Sequence, residues 1–504
     1  MSDLTTPGVL AAAAAAHPDR EFVVGDDGRA SYGEVAARAA TLAARLRARG
    51  VEPGDRVGLK LPNGVRWVVG LLATHAAGAT ALPLNTWYKQ YELDAVLRRA
   101  TPTVVLTEED DFSATAHESA GACQALRHAP TGETDIALLL FTSGSSAEPK
   151  AVPLTQAGMI LTARAIGDRQ GVREADRIWF ALPLFFVFGC SNALPNALVH
   201  GATLCLQERF EPGAALEFIE RERCTVYYGV APITRALAAH PDLAARDISA
   251  LRTGTANATP EDLRIAIEVL GISEVCNAYG MTEGHGHSTI TDHRDPPEIR
   301  MTTQGTALPT QEVRVVANDG GPVEHGTTGH LQIRGIITPG YLDAPDRTAA
   351  ELNAEAFDAD GWFRTGDLAW LDENDRLHFV GRSYELIKAK GINISPAEVE
   401  SLLVGHQEVE EAFVFGVDTT TGDQEVGAVI VSATDDPERL TQDVIAWARE
   451  RVSSYKVPRH VWILTADQLP LTPTGKVSKR LLRDQVLSSN ATGEARATRP
   501  YPGR

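Results

Sequence analysis

The sequence predicts an α/β protein: a large N-terminal domain of layered sheets and helices ending in a β-rich segment, then a small C-terminal α+β domain. Three observations predict it. Over the first 110 residues helical and strand patterns alternate, as in a parallel sheet covered by helices. Ala307–Val316, His330–Ile333 and Leu377–Val380 then read as strands of a more β-rich stretch. After Arg382 the pattern restarts, with strands at Glu408–Val417, Val426–Ser432 and Val461–Thr465 and a helix at Pro437–Val452. We therefore expect domains at residues 1–382 and 383–487 and a frayed tail at 488–504, poor in large apolar residues. A chain of 504 residues has room for two to four domains of about 150 residues.

Each early element has its own signal. Leu10–Ala16 is an alanine-rich run that reads as a short helix, since the acidic N-terminus, with no early Lys or Arg, makes a poor signal peptide. Val35, Ala39, Leu42 and Leu46 share one helical face, and Gly50 stops it. Arg56–Leu61 is a strand closed by Pro62-Asn63-Gly64, Val65–Ala77 a helix, and Ala79–Leu84 a strand. Tyr91–Ala100 follows as a helix and Thr103–Thr107 as a strand. Asp110–Asp135 is polar and mixed, an exposed connection. Ile136–Phe141 is a short apolar strand that runs directly into a Thr/Ser/Gly loop.

Composition narrows the function. Forty-seven Lys and Arg against 66 Asp and Glu give a net charge of −19. Such a surface repels nucleic acid and anionic membrane, so neither is an expected partner. The longest apolar run, Ile178–Cys190, is interrupted by Pro183 and too short for membrane insertion. The five cysteines are widely spaced with no CxxC pair, which reads as reduced core thiols in a cytoplasmic protein.

The loop after Ile136–Phe141 carries the first chemistry. Thr142-Ser143-Gly144-Ser145-Ser146-Ala147-Glu148-Pro149-Lys150 supplies hydroxyls, backbone N–H groups and an ammonium, the donors a polyphosphate needs. It lacks the Walker pattern, and by itself it fits a solvated Ser-rich turn equally well.

The loop does not stand alone. It resembles the TSG[ST]TGxPK signature of the adenylate-forming (AMP-binding) superfamily, which includes acyl-CoA synthetases, luciferases and peptide-synthetase adenylation domains. Four more segments match in the family's order: Asn277-Ala278-Tyr279-Gly280-Met281-Thr282-Glu283, Gly361-Trp362-Phe363-Arg364-Thr365-Gly366-Asp367, Gly381–Glu400, and Pro470-Leu471-Thr472-Pro473-Thr474-Gly475-Lys476. Gly340-Tyr341 and Ser454-Tyr455-Lys456-Val457-Pro458 also look like this family, and the resemblance spans roughly residues 20 to 485.

The resemblance implies a reaction and a set of roles. A carboxylate attacks the α-phosphorus of ATP, pyrophosphate leaves, and a thiol then displaces AMP from the acyl-adenylate. Cations and donors must offset charge that builds on phosphoryl oxygens. By resemblance, Thr142, Ser143, Gly144, Ser145 and Lys150 form the loop that holds the β- and γ-phosphates. Glu283 ligates Mg2+, a hard cation that prefers oxygen, and Thr282 donates to the α-phosphate. Tyr279 lies against adenine, Asn277 bonds its exocyclic amine, and Asn257 and Ala258 stand where the family has a small wall for that ring. Asp367 clamps the ribose, and Arg382 contacts the ribose and phosphate region. Lys476 bridges the substrate carboxylate and the α-phosphate. The small domain is expected to be mobile, withdrawing Lys476 and presenting Lys388, Lys390 and Gly391 for the CoA thiol. Each residue also has an ordinary alternative: Glu283 as a helix-start residue, Tyr279 as a core aromatic, Asp367 as a turn residue, Lys476 as a solvated loop lysine.

Five positions depart from the pattern. Ala147 replaces the usual loop glycine. Phe186 stands where many acyl-CoA synthetases have a histidine that shapes the acyl pocket. Tyr384 occupies the hinge position, usually Asp or Lys. His285 and His287 follow Glu283, where small residues commonly line the acid pocket; the pair suggests a polar or short acid, or else two solvated loop histidines. The leading expectation is an ATP- and Mg2+-dependent ligase joining a small-molecule acid to CoA. The second keeps adenylation but passes the acyl group to a carrier protein or an amine, or activates a small oxyacid such as nitrite. A non-catalytic nucleotide-binding regulator is the third, disfavoured by the joint presence of Lys150, Glu283, Asp367 and Lys476.

Overall fold

A computed structural model describes residues 4–115, 121–142, 149–257, 260–382, 387–389, 392–394, 396–420, 422–470, 477 and 479–492. The chain divides into two compact units. One comprises Met1–Thr86, Leu97–Leu140 and Ala151–Gly381; the other comprises Trp87–Val96, Phe141–Lys150 and Arg382–Arg504.

The first unit contains two large sheets. The seven-stranded sheet runs in the order Glu274–Cys276, Thr253–Asn257, Val226–Val230, Arg177–Phe180, Thr203–Leu206, Glu21–Gly25, Gly28–Ser31, and is parallel except for the final hairpin. Its central strands are apolar on both faces, as a sheet covered on both sides requires. Ile178, Phe180, Val226 and Tyr228 join one core, while Trp179 and Tyr227 join the other. The five-stranded sheet runs Val104–Leu106, Arg56–Leu59, Thr80–Pro83, Ile136–Thr142, Lys150–Thr155. Helices Tyr32–Ala48 and Val65–Ala76 share one continuous core with residues of both sheets, including Val57, Ala81 and Leu204. Ser31 and Glu34 close a capping box on the first of these helices, so its start is fixed locally.

The β-rich segment is a four-stranded sheet ordered Gln311–Val316, Gly329–Gly335, Phe363–Leu371, Leu377–Arg382. The expected strand Ala307–Val316 is in fact two. Thr306–Ala307 pairs with Thr289–Ile290, Gln311–Val316 pairs with Gly329–Gly335, and Pro309 separates them by removing a backbone donor. The second unit has its own core. Glu411–Asp418 pairs antiparallel with Gln424–Val431, which pairs parallel with His460–Leu464. Helix residues Val399, Leu403, Leu440 and Val444 pack with Val414, Ala428 and Ile430 of this sheet.

Two expectations are corrected. The stretch 110–135 is not only a connection: Ala122–Arg127 forms a helix whose Ala122 and Leu126 are buried. Two apolar positions four apart were too short a pattern to register. The tail also does not begin at 488: the helix Lys479–Thr492 passes through that point, with Leu482 and Val486 buried one turn apart, and residues 493–504 lie outside the described residues. Among the described residues no helix is long and apolar enough to cross a membrane.

Candidate active site

The first unit brings Tyr279 and Asp367 together. Tyr279 ends the two-residue strand Ala278–Tyr279, and Asp367 lies in the strand Phe363–Leu371 directly after Gly366, whose φ of +77° favours glycine. The Tyr279 hydroxyl donates to Asp367 Oδ2 at 2.5 Å, and both residues are buried. The Tyr279 ring stacks on Phe379 with centroids 5.7 Å apart. Nearby in sequence, the Asn277 amide is used within the chain: its Nδ2 donates to the Thr303 carbonyl at 3.0 Å and its Oδ1 accepts from the Ala278 N–H at 3.0 Å.

The loop after Tyr279 folds back on itself. A Cβ at Gly280 would run into the Gly286 carbonyl oxygen, so only glycine permits that approach. Thr282–Gly284 forms one 3-10 turn. Glu283 is 6% exposed; Tyr341 donates its hydroxyl to Glu283 Oε1 at 2.7 Å, and the Thr338 N–H donates to the Glu283 carbonyl at 2.7 Å. Among the described residues no cluster of three His, Cys, Asp or Glu side chains could hold a metal. Glu283 itself is an oriented carboxylate oxygen donor, the kind of ligand that a hard cation such as Mg2+ accepts while keeping waters and substrate phosphates in the rest of its shell.

His285 and His287 are both buried, which corrects the alternative of solvated loop histidines. Burial alone pushes each imidazole down to about 3, so both are neutral at pH 7. Their surroundings differ. His287 Nδ1 meets Asn192 Nδ2 at 3.1 Å, and behind Asn192 a buried network continues through the Tyr228 hydroxyl to Gln170 and Asn196. His285 has left-handed backbone, φ +59°, and its carbonyl accepts from the Ser191 hydroxyl at 3.3 Å. Phe186 stands in the turn before the π-helical segment Phe188–Ala193; its carbonyl accepts from the Gly189 and Cys190 N–H groups, and its ring tilts against Phe185 at 4.7 Å.

The other expected residues that the structure describes are placed on the following elements. Thr142 closes the strand Ile136–Thr142 and Lys150 opens the strand Lys150–Thr155, on either side of the loop expected to hold phosphate; both are part of the second unit. Asn257 ends the strand Thr253–Asn257, and Arg382 ends Leu377–Arg382. In the second unit Lys388 is exposed on the strand Ile387–Ala389, its N–H donating to Gln424 Oε1 at 2.9 Å. Ser143, Gly144, Ser145, Ala258, Lys390, Gly391 and Lys476 lie outside the described residues, as do Ala147 and Tyr384. Sequence reasoning gave no role to Tyr341, Asn192 or Tyr228. Tyr341 had a signal in the Gly340-Tyr341 pair; Asn192, just after the apolar run Ile178–Cys190, had none of its own.

Known proteins match this arrangement along most of the chain. The family profile described as AMP-binding enzyme covers residues 10–342, and that of the AMP-binding enzyme C-terminal domain covers residues 398–476. A feruloyl-CoA synthase from Amycolatopsis sp is 34% identical over 472 residues, 90% of this chain and 93% of that protein. Among solved structures, a double mutant of o-succinylbenzoate CoA synthetase from Bacillus subtilis aligns with a TM-score of 0.81 at 26% identity, covering 95% of this chain and 98% of the other. The amide bond synthetase of Marinactinospora thermotolerans aligns with a TM-score of 0.80 at 26% identity, covering 95% and 99%. With both profiles matched in order, the chain belongs to the AMP-binding enzyme family and is an adenylate-forming ligase of the acyl-CoA synthetase type.

Proposed function

We propose that this ligase adenylates a small carboxylic acid with ATP and Mg2+ and passes the acyl group to CoA in the cytoplasm. The observation that carries the reading is the buried Tyr279–Asp367 pair, formed by two of the five family motifs. A carboxylate held by a phenol, beside the Tyr279–Phe379 ring pair, suits a nucleoside: Asp367 accepts from ribose hydroxyls, and the Tyr279 ring flanks adenine. The similarity to CoA ligases supports the thiol acceptor. The free thiols of all five cysteines are compatible with a reducing compartment.

The chemistry runs in two steps. An oxygen of the acid's carboxylate attacks the α-phosphorus, the bond to the bridging oxygen breaks, and pyrophosphate leaves with the electron pair. The loop from Thr142 to Lys150, including Ser143, Gly144 and Ser145, holds the β- and γ-phosphates by N–H and hydroxyl donors and one ammonium. Thr282 donates to the α-phosphate. Lys476 spans carboxylate and α-phosphate, so its contribution is largest as charge accumulates there. Glu283, oriented by Tyr341, supplies the protein's carboxylate to Mg2+, which would neutralise phosphate charge when bound. In the second step the CoA thiolate attacks the acyl carbon, the acyl–phosphate bond breaks and AMP leaves. Lys388, Lys390 and Gly391 serve that acceptor, from the small domain that begins after residue 382.

ATP–pyrophosphate exchange across a panel of carboxylic acids tests the first step. Acid-dependent exchange is expected; exchange that no acid stimulates overturns the reading.

A further inference from the structure

Glu283 is held at both ends by one short segment. The Thr338 N–H donates to its main-chain carbonyl at 2.7 Å, and the Tyr341 hydroxyl donates to its carboxylate Oε1 at 2.7 Å. The other carboxylate oxygen, Oε2, accepts no hydrogen bond among the described residues. The segment is fixed in turn on two sides. On one side lies the strand Lys150–Thr155, the last in the order of the five-stranded sheet. Such an edge strand turns alternate carbonyls outward with no strand to pair them. The Leu342 N–H donates to the Ala151 carbonyl at 3.1 Å and the Thr338 hydroxyl to the Pro153 carbonyl at 2.8 Å, so two of these carbonyls are taken up by the ends of the segment. On the other side Asn353, in the helix Ala349–Ala356, uses its whole amide on the Tyr341 backbone: Oδ1 accepts from the N–H at 2.7 Å and Nδ2 donates to the carbonyl at 3.0 Å. Gly340, with φ +131°, makes room for this, since a Cβ there would lie 2.9 Å from both amide atoms of Asn353. All of these contacts lie within the first unit.

We propose that Thr338–Leu342 is a bridge that sets the Glu283 carboxylate against the strand leaving the loop 142–150, and that Thr338 and Asn353 are its positioning residues. This deepens the adenylation reading and rests on its assignment of Glu283 to Mg2+. The two structures the bridge joins are the two that the reading gives to the polyphosphate: the strand that continues the phosphate loop, and the carboxylate for the metal that the phosphates share. Mg2+ demands near-ideal octahedral geometry with short bonds to oxygen, so a carboxylate displaced by a fraction of an ångström loses most of its value as a ligand. Groups that orient a ligand without touching the metal therefore count in its affinity. Thr338 acts through the Glu283 main chain and its hydroxyl anchors that contact to Pro153; Asn353 acts through Tyr341.

The test is Mg2+ binding to the enzyme–ATP complex, followed by calorimetry, with ATP binding in EDTA as the reference. Thr338→Val, close in shape but without the hydroxyl, should weaken Mg2+ by about tenfold and leave ATP binding in EDTA within about twofold of wild type. Thr338→Ser restores the hydroxyl and should recover most of the affinity. Asn353→Ala, a favourable residue in a helix, should weaken Mg2+ in the same way as Thr338→Val. In a Glu283→Gln background Thr338→Val should add nothing, because the carboxylate it positions is gone. ATP–pyrophosphate exchange should follow binding, with a higher Mg2+ concentration for half-maximal rate and kcat largely restored at saturation. Wild-type Mg2+ affinity in Thr338→Val or in Asn353→Ala overturns the inference. So does an equal loss of ATP binding in EDTA, which marks a general distortion, and so does an effect of Thr338→Val that persists without the Glu283 carboxylate. Wild-type Mg2+ affinity in Glu283→Gln itself is a different failure: it removes the metal from Glu283, and this inference with it.

Discussion

The Tyr279 hydroxyl donates to Asp367 Oδ2 at 2.5 Å, joining residues 88 positions apart in two different sheets of the first unit. A carboxylate so held has its orientation set before any nucleotide arrives. Asp367→Ala should therefore raise the KM for ATP strongly while leaving acid binding near wild type. Charge-assisted bonds to ribose are worth roughly 1.5–3 kcal/mol each, so loss of one corresponds to about a tenfold to hundredfold rise. Tyr279→Phe keeps the ring and removes the phenol; its rise should be only a few-fold. An ATP KM equal to wild type in Asp367→Ala would remove Asp367 from the site.

Tyr341 should act through Glu283. Tyr341→Phe deletes the 2.7 Å bond to Glu283 Oε1, and we expect a higher Mg2+ concentration for half-maximal exchange, by up to about tenfold, corresponding to one hydrogen bond to a charged group. Saturating Mg2+ should restore most of kcat. Direct Mg2+ titration in the presence of ATP, followed by calorimetry, should show the same weakening. A purely structural role would lower kcat at every Mg2+ concentration.

His75 gives a stability prediction. It is fully buried, with Nδ1 2.6 Å from Thr6 Oγ1 and Nε2 2.9 Å from the Ala137 carbonyl. Burial pushes its pKa from 6.5 down to about 4, against the pull of that carbonyl. Because the folded value lies below the unfolded one, the unfolded chain takes up the proton first as pH falls. The contribution is thus complete above 6.5 and is lost between 6.5 and about 4. His75→Asn should lose less stability between pH 7 and pH 5 than wild type, by up to about 2 kcal/mol, read from urea midpoints.

Within the second unit, Lys456 Nζ lies 3.0 Å from Glu92 Oε1 and 2.6 Å from Glu398 Oε1, with all three side chains largely buried. Lys456→Met leaves two carboxylates without their cation and should destabilise by about 3–5 kcal/mol. Adding Glu92→Gln should recover part of that loss in the same unfolding experiment. No recovery would mean the ion pair is not what holds Lys456.

Much of this architecture was legible in the sequence, because periodicity and turn residues report local structure. The helix whose face carries Val35, Ala39, Leu42 and Leu46 and which Gly50 stops is an example. Tyr279 and Asp367 were legible only through their motifs, since nothing local reveals that a tyrosine and an aspartate so far apart share a hydrogen bond. The helix Ala122–Arg127 was missed because two buried apolar residues do not make a period. The network behind His287 was illegible for a further reason. Asn192, Tyr228, Gln170 and Asn196 come from separate elements and meet only after the seven-stranded sheet and its helices pack.

The central claim, that an acid is adenylated and handed to CoA, is tested most directly by mass spectrometry of a single reaction. An acid that supports pyrophosphate exchange is incubated with enzyme, ATP and Mg2+, and CoA is then added. The account predicts AMP and an acyl-CoA thioester in equal amounts, with both products reduced at least about a hundredfold in Lys476→Ala. An adenylate that CoA leaves untouched, while an amine discharges it to an amide, would contradict the account.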